Sequence, residues 1–171
     1  VDATRYLMLS SSADQPIDFD IEVAKKKDAS NPVYYVQYAH ARICSILRKA
    51  ADEADAAAVE AGEMTMGELA EKIIPEDCDL TPLTHPSELA LMRKMADFGN
   101  LIALAARDRA PFRLTHYAQD LASLFPQFYT NCHVLTEEEA VTNARLALVD
   151  ATRIVLALSL NLLGVSAPVK M

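Results

Sequence analysis

Between Pro32 and Ala50 the residues Val36, Ala39, Ile43, Ile46, Leu47 and Ala50 recur at helical spacing, directly after an Asn31-Pro32 start signal. Asn is a good N-cap, and Pro at the first helical position loses an N–H that would have had no partner. A long amphipathic helix from Pro32 to about Ala54 follows, with that stripe buried. The same grammar repeats down the chain, and it leaves room for little except helices. Thr65-Met66-Gly67-Glu68 is a capping-box pattern ahead of Leu69, Ile73 and Ile74. Pro75, Pro82 and Pro86 then mark a loop. A helix is expected from about Ser87 to Arg107, with Leu89, Met92, Met95, Ala96, Leu101 and Leu104 inward. Ala110-Pro111 separates it from a helix from Pro111 to about Cys132, with Leu114, Ala118, Leu121 and Phe125 as its apolar face and a kink at Pro126. Thr136-Glu137-Glu138-Glu139 opens a last helix as a capping box. It runs to Leu163, stops at Gly164 and is apolar on nearly every side from Ile154 onward, which places it centrally. The expected fold is all-α, a helical bundle of about five to six helices.

The first 30 residues are less regular. Residues 1–13 read as a helix end with Asp2 as a cap, closing in Ser10-Ser11-Ser12. Residues 17–21 alternate apolar and acidic side chains, which fits a short strand or the first turn of a helix reaching Ala29. Residues 55–62 extend the long helix. The chain begins with Val1 rather than Met and shows no leader pattern, so it reads as a piece of something longer, while Ala167 to Met171 reads as a natural end.

Charge is unevenly placed. The net charge is −8, but residues 51–80 carry ten acids and one base, Lys72, so that block alone is −9 and the remainder is close to neutral. A broad non-specific DNA-binding face is excluded, whereas a small basic patch is not. No apolar run approaches the roughly 18 residues of a membrane span. Cys44, Cys78 and Cys132 are odd in number and far apart, which argues against a disulfide framework or a structural zinc and fits a reducing, cytoplasmic setting. The four His are scattered, and four Gly cannot supply a phosphate-cradling loop. Asp18 and Asp20 flank Phe19 as a surface pair or a cap rather than a catalytic dyad. No catalytic residue and no metal ligand is assigned.

One stretch carries binding chemistry. On a helix, Tyr35, Tyr38, Arg42, Ser45 and Lys49 fall on one side at steps of 3, 4, 3 and 4, beside the apolar stripe. Tyrosine faces stack on unpaired bases, and Arg contacts phosphate or base edges. The same pattern also suits rings that flank the core with wet hydroxyls. Phe128 and Tyr129 suit core packing or an aromatic presented at a helix end. Arg107, Arg109 and Arg113 suit a solvated junction or a phosphate contact, and Met64, Met66, Met92 and Met95 suit gap-filling.

The stretch NPVYYVQYAHARICSILRKA resembles the start of the C-terminal domain of bacterial arginyl-tRNA synthetases. ELALMRKMADF, HYAQDLASLFPQFYTNCHVL and the closing ARLALVDATRIVLALSLNLLGVSAPVKM are similar to the same DALR-type anticodon-binding domain. The opening VDATRYLMLSSSADQPIDFDIEVAKKK looks like the end of the family's catalytic portion, after its KMSKS-type loop. The resemblance implies two parts: residues 1–30 as a catalytic tail or connector, and 31–171 as the helical anticodon-binding domain of a class I synthetase with an acidic excursion at 51–85. It implies a monomeric parent ligase that uses ATP and Mg2+ to join arginine to its tRNA, with no DNA or membrane partner. The HIGH and KMSKS signatures are absent here, so these residues are not expected to activate arginine or to hold its cofactors. The implied contacts to the anticodon loop are Tyr35, Tyr38, Arg42, Tyr129 and Met171. Val169-Lys170 stands where the family more often has Glu-Arg. Since arginine anticodons share a central cytosine, a reader would splay the loop bases onto these rings while polar groups read the cytosine edge. A helical protein-interaction module and the anticodon-binding domain of another synthetase, such as the glycyl-type β subunit, are the alternatives.

Overall fold

The computed structural model describes residues 1–12, 14–17 and 19–171. Among these residues it contains nine helices and no strand: α1 (Asp2–Leu9), α2 (Ile21–Lys25), α3 (Pro32–Ala50), α4 (Glu53–Ala61), α5 (Met66–Ile73), α6 (Pro86–Ala96), α7 (Phe98–Asp108), α8 (Phe112–Asn131) and α9 (Glu139–Leu162). The all-α expectation holds, and the larger number arises because short helices stand alone and two expected helices are divided. The long helix ends at Ala50, where Ala51 turns extended and Asp52 caps α4 by accepting from the Asp55 N–H at 2.8 Å. The helix expected over 87–107 breaks at Asp97, which ends α6 and opens α7. The break lets α6 pack on both α8 and α9 while α7 follows α8.

The centre of the bundle is α3, α8 and α9. Val36, Ile43, Leu47, Ala118, Leu121, Phe125, Phe128, Val149, Leu156 and Leu160 form a continuous buried core there. Pro126 lies inside α8 and does not end it. The capping box at Thr65 forms as expected, with Glu68 accepting from the Thr65 N–H at 2.7 Å. Its counterpart at Thr136 does not form. There Thr142 engages Thr136 instead, its hydroxyl accepting the Thr136 N–H at 2.9 Å, and α9 starts two residues late at Glu139. A second capping box lies where standard cap residues gave no signal: His85 caps α6, and its N–H donates to Glu88 at 2.8 Å.

The C-terminal turn of α9 closes as expected. Gly164 takes φ +66, Val165 N–H donates to Leu160 and Gly164 N–H to Asn161, a Schellman closure. α9 shares in that centre but is not enclosed on every side. Its contacts with α3, α6 and α8 use one face, and Ile154, Leu158 and Leu162 line the open one.

The first segment is docked. Tyr6 on α1 is fully buried, and its hydroxyl donates to the Thr115 carbonyl at 2.8 Å. Asp2 does not cap α1. Its carboxylate accepts from Gln37 at 3.0 Å and from the backbone and hydroxyl of Ser166, which draws its pKa below the usual carboxylate range. Arg5 donates to the Gly164 carbonyl. In α2, Asp20 is the N-cap and accepts from Glu22 and Val23, so residues 21–25 are helical. Asp18, the other half of the acidic pair, lies outside the described residues. No described helix is long and apolar enough to cross a membrane.

Candidate nucleic-acid interface

The helical period of α3 puts the basic and aromatic residues on one side, as the spacing predicts. Tyr38, Arg42 and Lys49 are exposed, while Tyr35 and Ser45 are half-buried and Tyr35 packs against the core. The flanking α8 completes the surface. Its Tyr129 ring lies under the Arg42 guanidinium, 5.2 Å from carbon to ring centroid. Phe125 stacks one turn below Tyr129, with ring centroids 6.3 Å apart and planes at 20°. On the other side, the Tyr38 hydroxyl is 3.5 Å from Arg42 Nη1, and Tyr34 stacks on Tyr38 at 6.2 Å and 14°. Tyr34, Tyr38, Arg42, Tyr129 and Phe125 therefore form one ladder of planar groups across two helices. Tyr34 was not singled out in the sequence, although its spacing of four from Tyr38 was the available signal.

The electrostatics suit an anion. No carboxylate is paired with Arg42 or Lys49 among the described residues. By contrast, Arg107 and Arg113 both engage Asp108, at 2.8 and 3.2 Å, so two of the three arginines of that junction share one carboxylate. Met66 is buried and Met64, Met92 and Met95 are half-buried against the core, as gap-fillers are. Burial pushes the Cys44 thiol up to about 11, which removes it as a nucleophile near neutrality. Among the described residues no group of three or more His, Cys, Asp or Glu is placed to hold a metal ion.

Met171 ends a tail that is tied to the bundle. The tail before it runs along a different side of α3: His40 Nδ1 donates to the Pro168 carbonyl at 2.9 Å, and Arg48 donates to the Val169 carbonyl at 3.0 Å. Lys170 reaches Glu60 at 3.4 Å. No hydrogen bond joins Met171, which is half-exposed, to Tyr38, Arg42 or Tyr129. The structure thus brings Tyr38, Arg42 and Tyr129 together, sets Tyr35 beside them and leaves Met171 at the end of a tethered strap.

Residues 36–171 match the model of the DALR anticodon binding domain. The arginine–tRNA ligase of Heliobacterium modesticaldum is 48% identical over 170 residues, covering 99% of this chain and 28% of that protein. That of Moorella thermoacetica is 45% identical, again over 28% of its length. The solved arginyl-tRNA synthetase of Thermus thermophilus superposes with a TM-score of 0.72 at 32% identity, covering 99% of this chain and 26% of that one. The chain therefore spans little more than a quarter of these relatives. Because the match over residues 36–171 takes in most of the chain, the chain belongs to the DALR anticodon-binding domain family.

Proposed function

We propose that the Tyr38–Arg42–Tyr129 ladder reads the anticodon loop of an arginine-accepting tRNA, as the anticodon-binding part of an arginine–tRNA ligase. The observation that carries this reading is the Arg42 guanidinium lying on Tyr129 without a carboxylate partner. A guanidinium held in that way offers its edge to phosphate or to a base while its face stays stacked. Tyr38, 45% exposed, provides a ring on which an unpaired base can stack, worth about 1–3 kcal/mol per base, while Tyr129, between Arg42 and Phe125, sets the guanidinium. Tyr35 offers only part of its ring, and Met171 closes over the loop from the tail. The ATP- and Mg2+-dependent activation of arginine belongs to the catalytic portion of the same ligase, which acts as a monomer. No step of it is assigned to these residues.

The test is a fluorescence-anisotropy titration with an arginine anticodon stem-loop, repeated with the central cytosine changed and at two salt concentrations. The cognate loop should bind more tightly, with an affinity that falls as salt rises. Arg42→Ala should weaken it, with a smaller salt slope if Arg42 meets phosphate or an altered base preference if it meets a base. Equal binding to both loops would refute the reading.

A further inference from the structure

Between α5 and α9 the surface is hollowed into a groove of about 690 Å³. Its floor is made of small residues, Gly67 and Ala70 on α5 and Ala147 and Ala151 on α9. Ile74 and Ile154 add apolar sides, and Ile154 is 42% exposed. Ala147 and Ala151 also line an adjoining apolar hollow of about 250 Å³, bounded by Leu80 and by Met92 and Met95 of α6. We infer that this groove docks an amphipathic helix of a partner protein, apolar on the side it buries and rich in Lys or Arg beside it. The anticodon-loop reading uses α3 and α8, and the inference does not rest on it.

Charge selects the partner. The groove is lined by three carboxylates, Glu71, Glu76 and Asp150, against one guanidinium, Arg153, which leaves a net −2. Arg153 is already engaged with Asp150 at 2.7 Å, and neighbouring Lys72 with Asp55 at 2.6 Å. Glu71 and Glu76 are exposed, and neither is paired with a base among the described residues. The loop that carries Glu76 and Leu80 adds Asp77 and Asp79. Such a rim repels phosphate and attracts a cationic side chain, while the floor between the carboxylates is apolar.

Shape selects a helix. Ala147 and Ala151 stand four apart on one face of α9, and Gly67 and Ala70 three apart on α5, so a third helix can approach to the interaxial spacing of packed helices, about 8–10 Å. Its anchors at i, i+3 or i+4, and i+7 then meet the two hollows in turn. The described residues contain no strand to which a partner strand could add. The walls are also set in advance. The Thr65–Glu68 capping box fixes the first turn of α5, Lys72 ties α5 to α4, and the Asp150–Arg153 pair is largely buried. Walls fixed in this way lower the entropy lost on docking.

The test uses a fluorescein-labelled peptide of about 18 residues, five helical turns, with Leu at i, i+3, i+4 and i+7 and Lys elsewhere. A second peptide has Glu in place of each Lys. Fluorescence anisotropy is read with this chain alone and within the whole ligase proposed above. The basic peptide should bind both, with an affinity that falls as salt rises, and the acidic one should bind neither. Glu71→Lys with Glu76→Lys, and separately Ile154→Asp, should each weaken binding about tenfold, after circular dichroism shows them folded. Glu137→Lys with Glu138→Lys changes net charge equally at another exposed loop and should leave the affinity unchanged. Equal weakening by the two charge reversals would mean attraction to net charge alone, and the groove would be overturned. Equal binding of the two peptides, or unaltered affinity in Ile154→Asp, would overturn it too. Binding to the chain alone but not within the whole ligase would show the groove covered by the rest of that ligase, which also overturns a partner protein. Self-association in sedimentation, abolished by Ile154→Asp, would assign the groove to a second copy instead.

Discussion

Replacing Glu88 with Gln tests the architecture that supports the RNA-facing surface. Glu88 has no solvent exposure. One carboxylate oxygen accepts from the His85 N–H at 2.8 Å, and the other from Arg145 Nε at 2.7 Å. Gln at this position can still accept from His85, so the capping box survives and the substitution isolates the charge. Removing one partner of a buried ion pair costs about 3–5 kcal/mol. The Arg145 side chain keeps 17% of its surface in solvent and retains the His133 carbonyl, so a loss just under that range is expected, about 2–3 kcal/mol. For a domain of this size that corresponds to a fall in Tm of roughly 5–10 °C. Urea unfolding followed by circular dichroism at neutral pH measures it. The pH dependence is a second readout. Burial alone would raise the Glu88 carboxyl, but the hydrogen bonds from Arg145 and His85 outweigh it and hold the group below its usual range. Its charge therefore stabilises the fold above about pH 4.3, the ordinary value for Glu, and that contribution is lost as pH falls through the lowered native value. Wild type should lose stability more steeply than Glu88→Gln in that window. A neutral-pH loss below about 0.5 kcal/mol, the scatter of ordinary surface changes, would refute the argument.

Three further outcomes follow from other contacts. Gly164→Ala should cost about 1–2 kcal/mol, read as a lowered urea midpoint, because Gly164 holds φ +66 and a Cβ would sit 3.2 Å from the Arg5 side chain. His40 is buried, which lowers its pKa against the opposing Pro168 carbonyl, with Arg153 lowering it further. The neutral ring therefore stabilises the fold above about pH 6.5, and that stability is lost as pH falls through the lowered native pKa; His40→Gln should flatten the dependence in chemical denaturation between pH 7 and 5. Deleting Met171 should weaken stem-loop binding while leaving the unfolding midpoint within error, since the strap bonds end at Lys170; unchanged affinity would remove Met171 from the interface.

Much of the local structure was legible. The buried stripe of α3, the apolar face of α8, the Thr65–Glu68 capping box and the Gly164 stop each depend on residues a few positions apart, and local spacing reports them directly. The errors fell where a tertiary contact overrode the pattern. The run from Ile154 to Leu163 suggested burial all round, yet composition does not say how many neighbours a helix has, and α9 has them on one face only. The Thr136 signal was a sound capping pattern defeated by a competing hydroxyl, that of Thr142. Leu91 and Glu88 were missed as core because the break at Asp97 turns α6 independently of α7.

By itself the sequence determined that the chain is helical and that Tyr38, Arg42 and Lys49 share a side of one helix, because a period of 3.6 follows from the backbone alone. Its resemblance to a family also nominated Tyr129. Only the tertiary structure decided that Tyr129 lies under Arg42, that Tyr34 extends the ladder, that the tail before Met171 is tied to α3 and that a pocket opens beside Lys49. Those facts depend on how α8 crosses α3 and on where the His133 loop is pinned, and such relations arise from packing between residues far apart in the chain rather than from the spacing within any one helix.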